Sequence, residues 1–463
     1  MKKVLLIGIL LVLTLGIQLF TGCKKKELFS KNTLSFSTDT LVFDTIFTTV
    51  GSTTKRIKIY NKSNQSVKIQ KVTLMGGKSS PFRINLDGVP GVTFTDIVIP
   101  QKDSLFMFVE VTLGENSGTT PMIIEDQIEF LTNGKTQHVQ LAAWGQDAYF
   151  HYKDTNEGIW PNDKPHVIYD YAAVDSAKTL TIQAGTKIYL HKNALLFNYK
   201  GTLKIQGTYD NKVIIQGDRL EPFYQDVKGQ YYGIYMDHAR TSEIDNCIIK
   251  NGTAGIHVYG DDPSNSDYTL KVTNTEIFNS ASYGIFNYSG GRIYGENLNI
   301  HDNDVYAYFV LEGGDCNFRQ SQFLSWGSDG SKPAIAIKNY FTRNDGITYV
   351  GSIYENSFYN SIIYGGGEYQ IAFDTINTNG VTILYEFDNN LIKQKDGVNN
   401  SKFIDNTWNK DPKFKSIEGQ KYIIKSASPC IDAGKSGYAT PKDIEGTDRD
   451  MGQPDIGAYE VSQ

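Results

Sequence analysis

Asn246-Cys247-Ile248-Ile249, Asn274-Thr275-Glu276-Ile277, Asn297-Leu298-Asn299-Ile300, Gln320-Ser321-Gln322-Phe323, Asn360-Ser361-Ile362-Ile363 and Asn389-Asn390-Leu391-Ile392 repeat one short frame. Each has a polar bend residue, a small or apolar residue, any residue, and then Ile or Phe. The steps are 28, 23, 23, 40 and 29 residues. A coil of 23 residues with occasional loop insertions is what a three-faced solenoid needs, and the 40-residue step is expected to hide a poorly marked rung. Like residues would stack in columns. The Ile/Phe column fills a core, while Asn recurs at bends, where it tolerates a left-handed backbone and bonds locally. Parallel strands covered on both faces are one of few ways to bury such short apolar pairs. The frame therefore predicts that Ile249, Ile277, Ile300, Phe323, Ile363 and Ile392 form one buried stack.

A second frame runs in phase with the first: Gly233-Ile234, Gly255-Ile256, Gly284-Ile285 and Ala334-Ile335. Upstream, Leu180-Thr181-Ile182-Gln183-Ala184-Gly185-Thr186 and Gly201-Thr202-Leu203-Lys204-Ile205-Gln206-Gly207-Thr208 have the form of opening coils. Together these motifs resemble the pectate-lyase-like superfamily of right-handed parallel β-helices. That resemblance implies an all-β fold over residues 148–404. The register places Cys247 and Cys316 three rungs apart and in different columns, too far for a disulfide at 4.7–4.9 Å per rung. Both are expected to be core thiols.

Residues 34–147 read differently, as alternating strands with turns between them. Lys55 to Tyr60 is one strand and Asn61-Lys62-Ser63-Asn64 its turn; Leu105 to Val111 is another; Asp126 to Phe130 with Val139 to Leu141 is the last pair. The order of a strand ending in Asn, Phe82-Arg83-Ile84, Ile99-Pro100 and Leu141-Ala142-Ala143-Trp144-Gly145 resembles immunoglobulin-like domains of the abnormal-spindle/hydin type. Such β-sandwiches act as spacers or interaction modules.

The chain starts with Met1-Lys2-Lys3 and an uncharged, mostly apolar run from Val4 to Phe20, then Thr21-Gly22-Cys23 and Lys24-Lys25-Lys26. Small residues directly before a Cys resemble a lipobox, with Phe20 where that pattern prefers Leu. This implies a signal peptide over 1–22, acylation of Cys23, a tether over 23–33, and an outer-membrane lipoprotein on either the periplasmic or the surface face. At the other end, residues 405–463 carry Ser428-Pro429-Cys430-Ile431-Asp432-Ala433-Gly434, Asp443-Ile444-Glu445-Gly446-Thr447-Asp448-Arg449 and Pro454-Asp455-Ile456-Gly457-Ala458-Tyr459-Glu460. This segment is similar to the choice-of-anchor segment that ends many secreted bacterial β-helix proteins. It is expected to be a cap over the last rung's open edge.

Composition bounds the function. With 45 basic and 51 acidic residues the net charge is −6, which gives no basic footprint for nucleic acid. A monomer is expected. The resemblance implies acidic polysaccharides as substrates, cleaved by lyases with carboxylate-held calcium or by hydrolases with paired Asp; no hydrolase signature is apparent. Asp261, Asp262 and Asp267 in one insertion, and Asp302 with Asp304, could hold Ca²⁺; Arg240, Arg292, Arg319 and His301 could supply base or charge. The better-formed feature is aromatic. If Ile is inward in the second frame, Tyr235, His257 and Phe286 face outward on successive rungs, with Tyr259 and Tyr288 two residues further on. Either Tyr308 or Phe309 continues the ladder. Rings repeating at the rung spacing would offer a flat stacking face to an extended sugar chain. Two function classes follow: a non-catalytic glycan-binding or scaffolding protein, and a polysaccharide lyase or glycoside hydrolase.

Overall fold

The computed structural model describes residues 29–48, 51–114, 122–326, 332–398 and 400–461. Cys23 and residues 1–22, where a signal peptide is expected, lie outside the described residues. The chain forms two compact units that divide after Gln146.

In the first unit, two five-stranded sheets share one apolar core. Strand Lys55–Tyr60 shows why: Ile57 and Ile59 are fully buried while the residues between them reach solvent, the period-two pattern of a half-buried strand. Strand Met122–Thr132 pairs antiparallel with Lys135–Gln146, and Lys55–Tyr60 with Ser104–Val111. The buried Asn61 ties a turn down. Its amide nitrogen donates to the carbonyls of Gln65, Ile99 and Pro100, so the Asn and the Ile-Pro pair are one device.

The second unit winds. After the opening strands the chain visits three ladders in a fixed order, and each ladder strand pairs in parallel with its counterpart one coil on. Gly233–Asp237 belongs to the first ladder, Ser242–Asp245 to the second and Cys247–Lys250 to the third; Ala254–Tyr259, Leu270–Thr273 and Glu276–Phe278 repeat the sequence. The first and third ladders make up an 18-stranded sheet and the second a 10-stranded one. This is the winding of a parallel β-solenoid.

The expected core stack is present. Ile249 pairs with Ile277, Ile277 with Ile300, Ile300 with Phe323, Phe323 with Ile363 and Ile363 with Ile392, and all six are fully buried. The bend residues before them all have positive φ: Asn246 (49°), Asn274 (47°), Asn297 (52°), Gln320 (47°), Asn360 (46°) and Asn389 (58°). That backbone region disfavours branched side chains, which explains the Asn column. Cys247 and Cys316 lie on different ladders, and both are buried free thiols, as is Cys430.

Two expectations are corrected. The 40-residue step hides no rung, because Phe323 pairs directly with Ile363; the extra length is an antiparallel hairpin, Tyr340–Thr342 against Thr348–Val350. The C-terminal segment starts over the last rungs, with Thr407–Trp408 paired on Leu391–Ile392, but its later part does not stay there. It runs back along the corner between the second and third ladders, against the Asn bends. Asn389 donates to the Ala433 carbonyl, Asn360 to that of Lys435, Gln320 to that of Asp455 and Asn297 to that of Lys442. Further back, Lys212 donates to the Ile444 carbonyl. The physical reason is that the bend amides from Asn297 onward have an N–H for the tail's carbonyls, whereas those of Asn246 and Asn274 donate to Asp245.

Candidate functional site

The first ladder's outer face is where the sequence placed its aromatic residues. Its inward column is Leu196, Ile234, Ile256, Ile285, Tyr308 and Ile335, all fully buried. Tyr308 is therefore a core residue, and Phe309 continues the outer column. The outer column reads Phe197, Tyr235, His257, Phe286, Phe309, each paired with the next across one rung. Successive ring centroids lie 5.4, 4.6, 4.6 and 5.3 Å apart, with interplanar angles of 16°, 33°, 30° and 9°. Ala173 precedes this stack in the column and Ala336 follows it.

The parallel register dictates that geometry, and it corrects the expected flat stacking face. Rings in one column sit one rung apart, close to the offset-stacking distance, so they turn their faces to each other. A ligand above the stack meets ring edges and hydroxyls. A second outer column holds Tyr199, Asp237, Tyr259, Tyr288 and Leu311, in which Tyr259 and Tyr288 lie 5.2 Å apart. On the other side stand Tyr232, Tyr283 and Tyr306, the last two stacked at 6.0 Å. Ala254 takes the intervening place between Tyr232 and Tyr283, and Tyr232 leans across to put its hydroxyl 2.6 Å from His257 Nδ1.

His257 is the centre of the wall. It is 8% exposed, and its Nε2 has no hydrogen-bond partner among the described residues. Burial pulls its pKa down to about 4, so the imidazole is neutral at physiological pH. Burial likewise pushes Tyr235 up to about 12.

The turns frame this face. From Asn246 onward the chain spends one or two residues per bend between the second and third ladders. Long insertions border the first ladder instead: residues 260–269, 339–355 and 375–385 on one edge, and 218–232 on the other. Phe341 from the hairpin meets Tyr288 edge-to-face at 6.5 Å. The outer face of the first ladder thus lies between two sets of inserted loops.

The other candidates do not converge. Asp261 is held by Arg292 at 2.8 Å, by the Thr269 hydroxyl at 2.6 Å and by Asn265 at 2.8 Å. Asp262 accepts from Ser264, and Asp267 pairs with Lys271 at 2.5 Å. Because each carboxylate has its own partner, the three do not form the expected calcium site; among the described residues no group of three His, Cys, Asp or Glu side chains is arranged to hold a metal. Asp302 and Asp304 are also separately engaged, by His301 at 2.7 Å and Lys228 at 2.6 Å. The candidate bases are scattered. Arg292 and Arg319 are on the second ladder, Arg319 with its guanidinium 5.9 Å from the Tyr294 ring and 5.8 Å from that of Tyr359. His301 is buried on the third ladder, and Arg240 is exposed in the turn after His238.

The sequence reading missed Phe197, Tyr232, Asp237, Tyr283 and Tyr306. Tyr283 and Tyr306 were signalled by their place directly before Gly284 and Ala307. Phe197 was not, because its coil lacks the Gly-Ile frame.

No protein-family model matches the chain, and no curated protein is significantly similar to it. Solved structures with some likeness include a family 123 glycoside hydrolase from Clostridium perfringens (10% identity, TM-score 0.19, 26% of this chain and 30% of that one). The ASH / PapD-like domain of human CEP192 is another (12% identity, TM-score 0.18, 28% of this chain and 94% of that one). The Agl-KA catalytic domain is a third (12% identity, TM-score 0.16, 76% of this chain and 86% of that one). The chain spans less than two thirds of the hydrolase's length. Similarity this low assigns it neither a family nor an activity.

Proposed function

We propose that this protein is an envelope-anchored lipoprotein whose first-ladder wall binds an extended polysaccharide without cleaving it. In this reading Cys23 carries the lipid, the first unit is an immunoglobulin-like spacer, and the second is a right-handed, pectate-lyase-like β-helix acting as a monomer. The observation that supports it most is the unbroken ring stack from Phe197 to Phe309, lying between inserted loops on both edges of its ladder. Coils that rise 4.7–4.9 Å apart repeat at close to the length of one sugar in a stretched chain. Tyr hydroxyls and ring edges at that spacing can contact successive residues, and aromatic side chains have few rotatable bonds to order on binding. Against catalysis, the candidate acids and bases are scattered over the second and third ladders and the turns rather than gathered on this wall.

The double substitution Tyr259→Ala, Tyr288→Ala tests the reading, since both rings are partly exposed and neither belongs to the core. Retention in polysaccharide affinity gels should fall about tenfold or more, in line with about 1.4 kcal/mol of lost contact per decade, with the melting temperature unchanged. Retention equal to wild type would overturn the wall as the binding face. Release of unsaturated or reducing ends by the wild type would move the same face into the enzyme class.

A further inference from the structure

We infer that the polysaccharide held by this wall is an uncharged one. The inference rests on the first ladder being the binding face and concerns what that face can discriminate. From Leu195 to Leu311 the outward positions of the ladder are filled by Leu, Phe, Tyr, Ala and His, with no Lys or Arg; the single carboxylate among them is Asp237. An acidic sugar laid along these columns would bring its carboxylate out of water against rings. It would find no cation there and one like charge, an arrangement that electrostatics disfavours.

Most of the groups through which an acidic glycan could still be met already have partners. The titratable group in the middle of the wall, His257, is buried and neutral. The cations at the margins are already engaged: Arg219 with Glu221 at 3.0 Å, Lys338 with Asp374 at 2.7 Å, and Arg343 with Glu312 at 4.0 Å. Lys200 lies over the Tyr199 ring at 5.2 Å, at the first coil of the wall, and Arg240 is exposed in the turn after His238. The carboxylates that might have bridged through a divalent cation are held by Arg292, Ser264 and Lys271. A neutral sugar needs none of these. It offers C–H surface to ring edges and hydroxyls to the phenols of Tyr235, Tyr259, Tyr283, Tyr288 and Tyr306, which are rigid, amphipathic partners.

The test is affinity electrophoresis of the detergent-solubilised full chain in gels of neutral linear polysaccharides (β-glucan, xylan, mannan) and acidic ones (polygalacturonate, alginate), at low and high salt. At least one neutral polymer should retard the protein, with less than about a twofold change when salt is raised to shrink the Debye length to ~3 Å. Acidic polymers should not. Asp237→Lys should create salt-sensitive retardation by polygalacturonate of about tenfold over wild type. Stronger retention by an acidic polymer, lost in salt and lost in the Tyr259→Ala, Tyr288→Ala variant, would overturn the neutral assignment while leaving the wall as the binding face. Retention by neither class would overturn the wall itself, and the inference with it.

Discussion

At the scale of single residues, the core stack sets the register of everything outside it. Ile277 is fully buried between Ile249 and Ile300, and an added Cβ on Gly255 would lie 2.4 Å from its Cγ2. That is why the second frame uses glycine or alanine beside the Ile. Ile277→Ala should cost about 2–5 kcal/mol, the range for a cavity in a core that cannot collapse; urea titration would measure it, and a loss under about 1 kcal/mol would mean that the stack repacks freely. A second residue of consequence is His301. Burial opposes its charge, but hydrogen bonds to Asp302 at 2.7 Å and Glu276 at 3.2 Å outweigh burial and hold its pKa above the ordinary value. Glu276 is held below its own, where burial is again opposed and is outweighed by the His301 contact. A raised histidine contributes stability in full below its unfolded value of about 6.5, and loses it as pH rises through the folded value. The lowered Glu276 contributes above its unfolded value of about 4.3, and loses it as pH falls through its folded one. Wild type should therefore be most stable between these limits and weaken toward alkaline pH. His301→Gln should flatten that alkaline limb in thermal melts, and an unchanged pH profile would refute the charged pair.

At the scale of elements, the C-terminal segment is fastened by a buried ion pair rather than by apolar contact alone. Arg449 is fully buried at its side chain, 3.0 Å from Glu460, and also donates to Asn297 and to the Gly457 carbonyl. Removing one partner of such a pair leaves the other charge uncompensated, so Arg449→Met should cost about 3–5 kcal/mol; Arg449→Met with Glu460→Leu should recover much of it. Equal losses in the single and double variants would count against the pair. How far this was readable from sequence differs by element. The Asn-x-x-Ile frame carries its own proof, because identical columns in successive coils leave one workable register. The course of the tail was hidden, since nothing in Asp443 to Glu460 says which bends its backbone will meet. The facing of the aromatic rings was hidden for another reason: sequence spacing gives a column, but ring orientation within it is decided by the neighbour one coil away. The hairpin at 340–350 was mistaken for a rung because the step from Gln320 to Asn360 is far longer than one coil.

At the scale of the whole molecule, the proposed anchor, spacer and binding wall share one chain. Cys23→Ala should release the protein from the membrane fraction or leave it unprocessed, as followed by fractionation and mass of the mature N-terminus. An intact Met1 on membrane-bound wild type would refute lipidation. Acyl chains give anchoring at about 0.8 kcal/mol for each buried CH₂, so the effect should be a change of compartment rather than a shift in retention.

The bond from Lys212 to the Ile444 carbonyl spans 232 residues of chain. Gly446 closes on Tyr209 over a similar span, with an added Cβ only 2.9 Å from that ring. A coil-upon-coil solenoid can otherwise assemble by local steps, each new strand finding a template already in place. This seam removes that freedom, because loop closure of such length is slow and must wait for the far end of the chain. A chain delivered amino-end first would keep the corner beside Tyr209 and Lys212 unsealed until Ile444 and Gly446 had emerged.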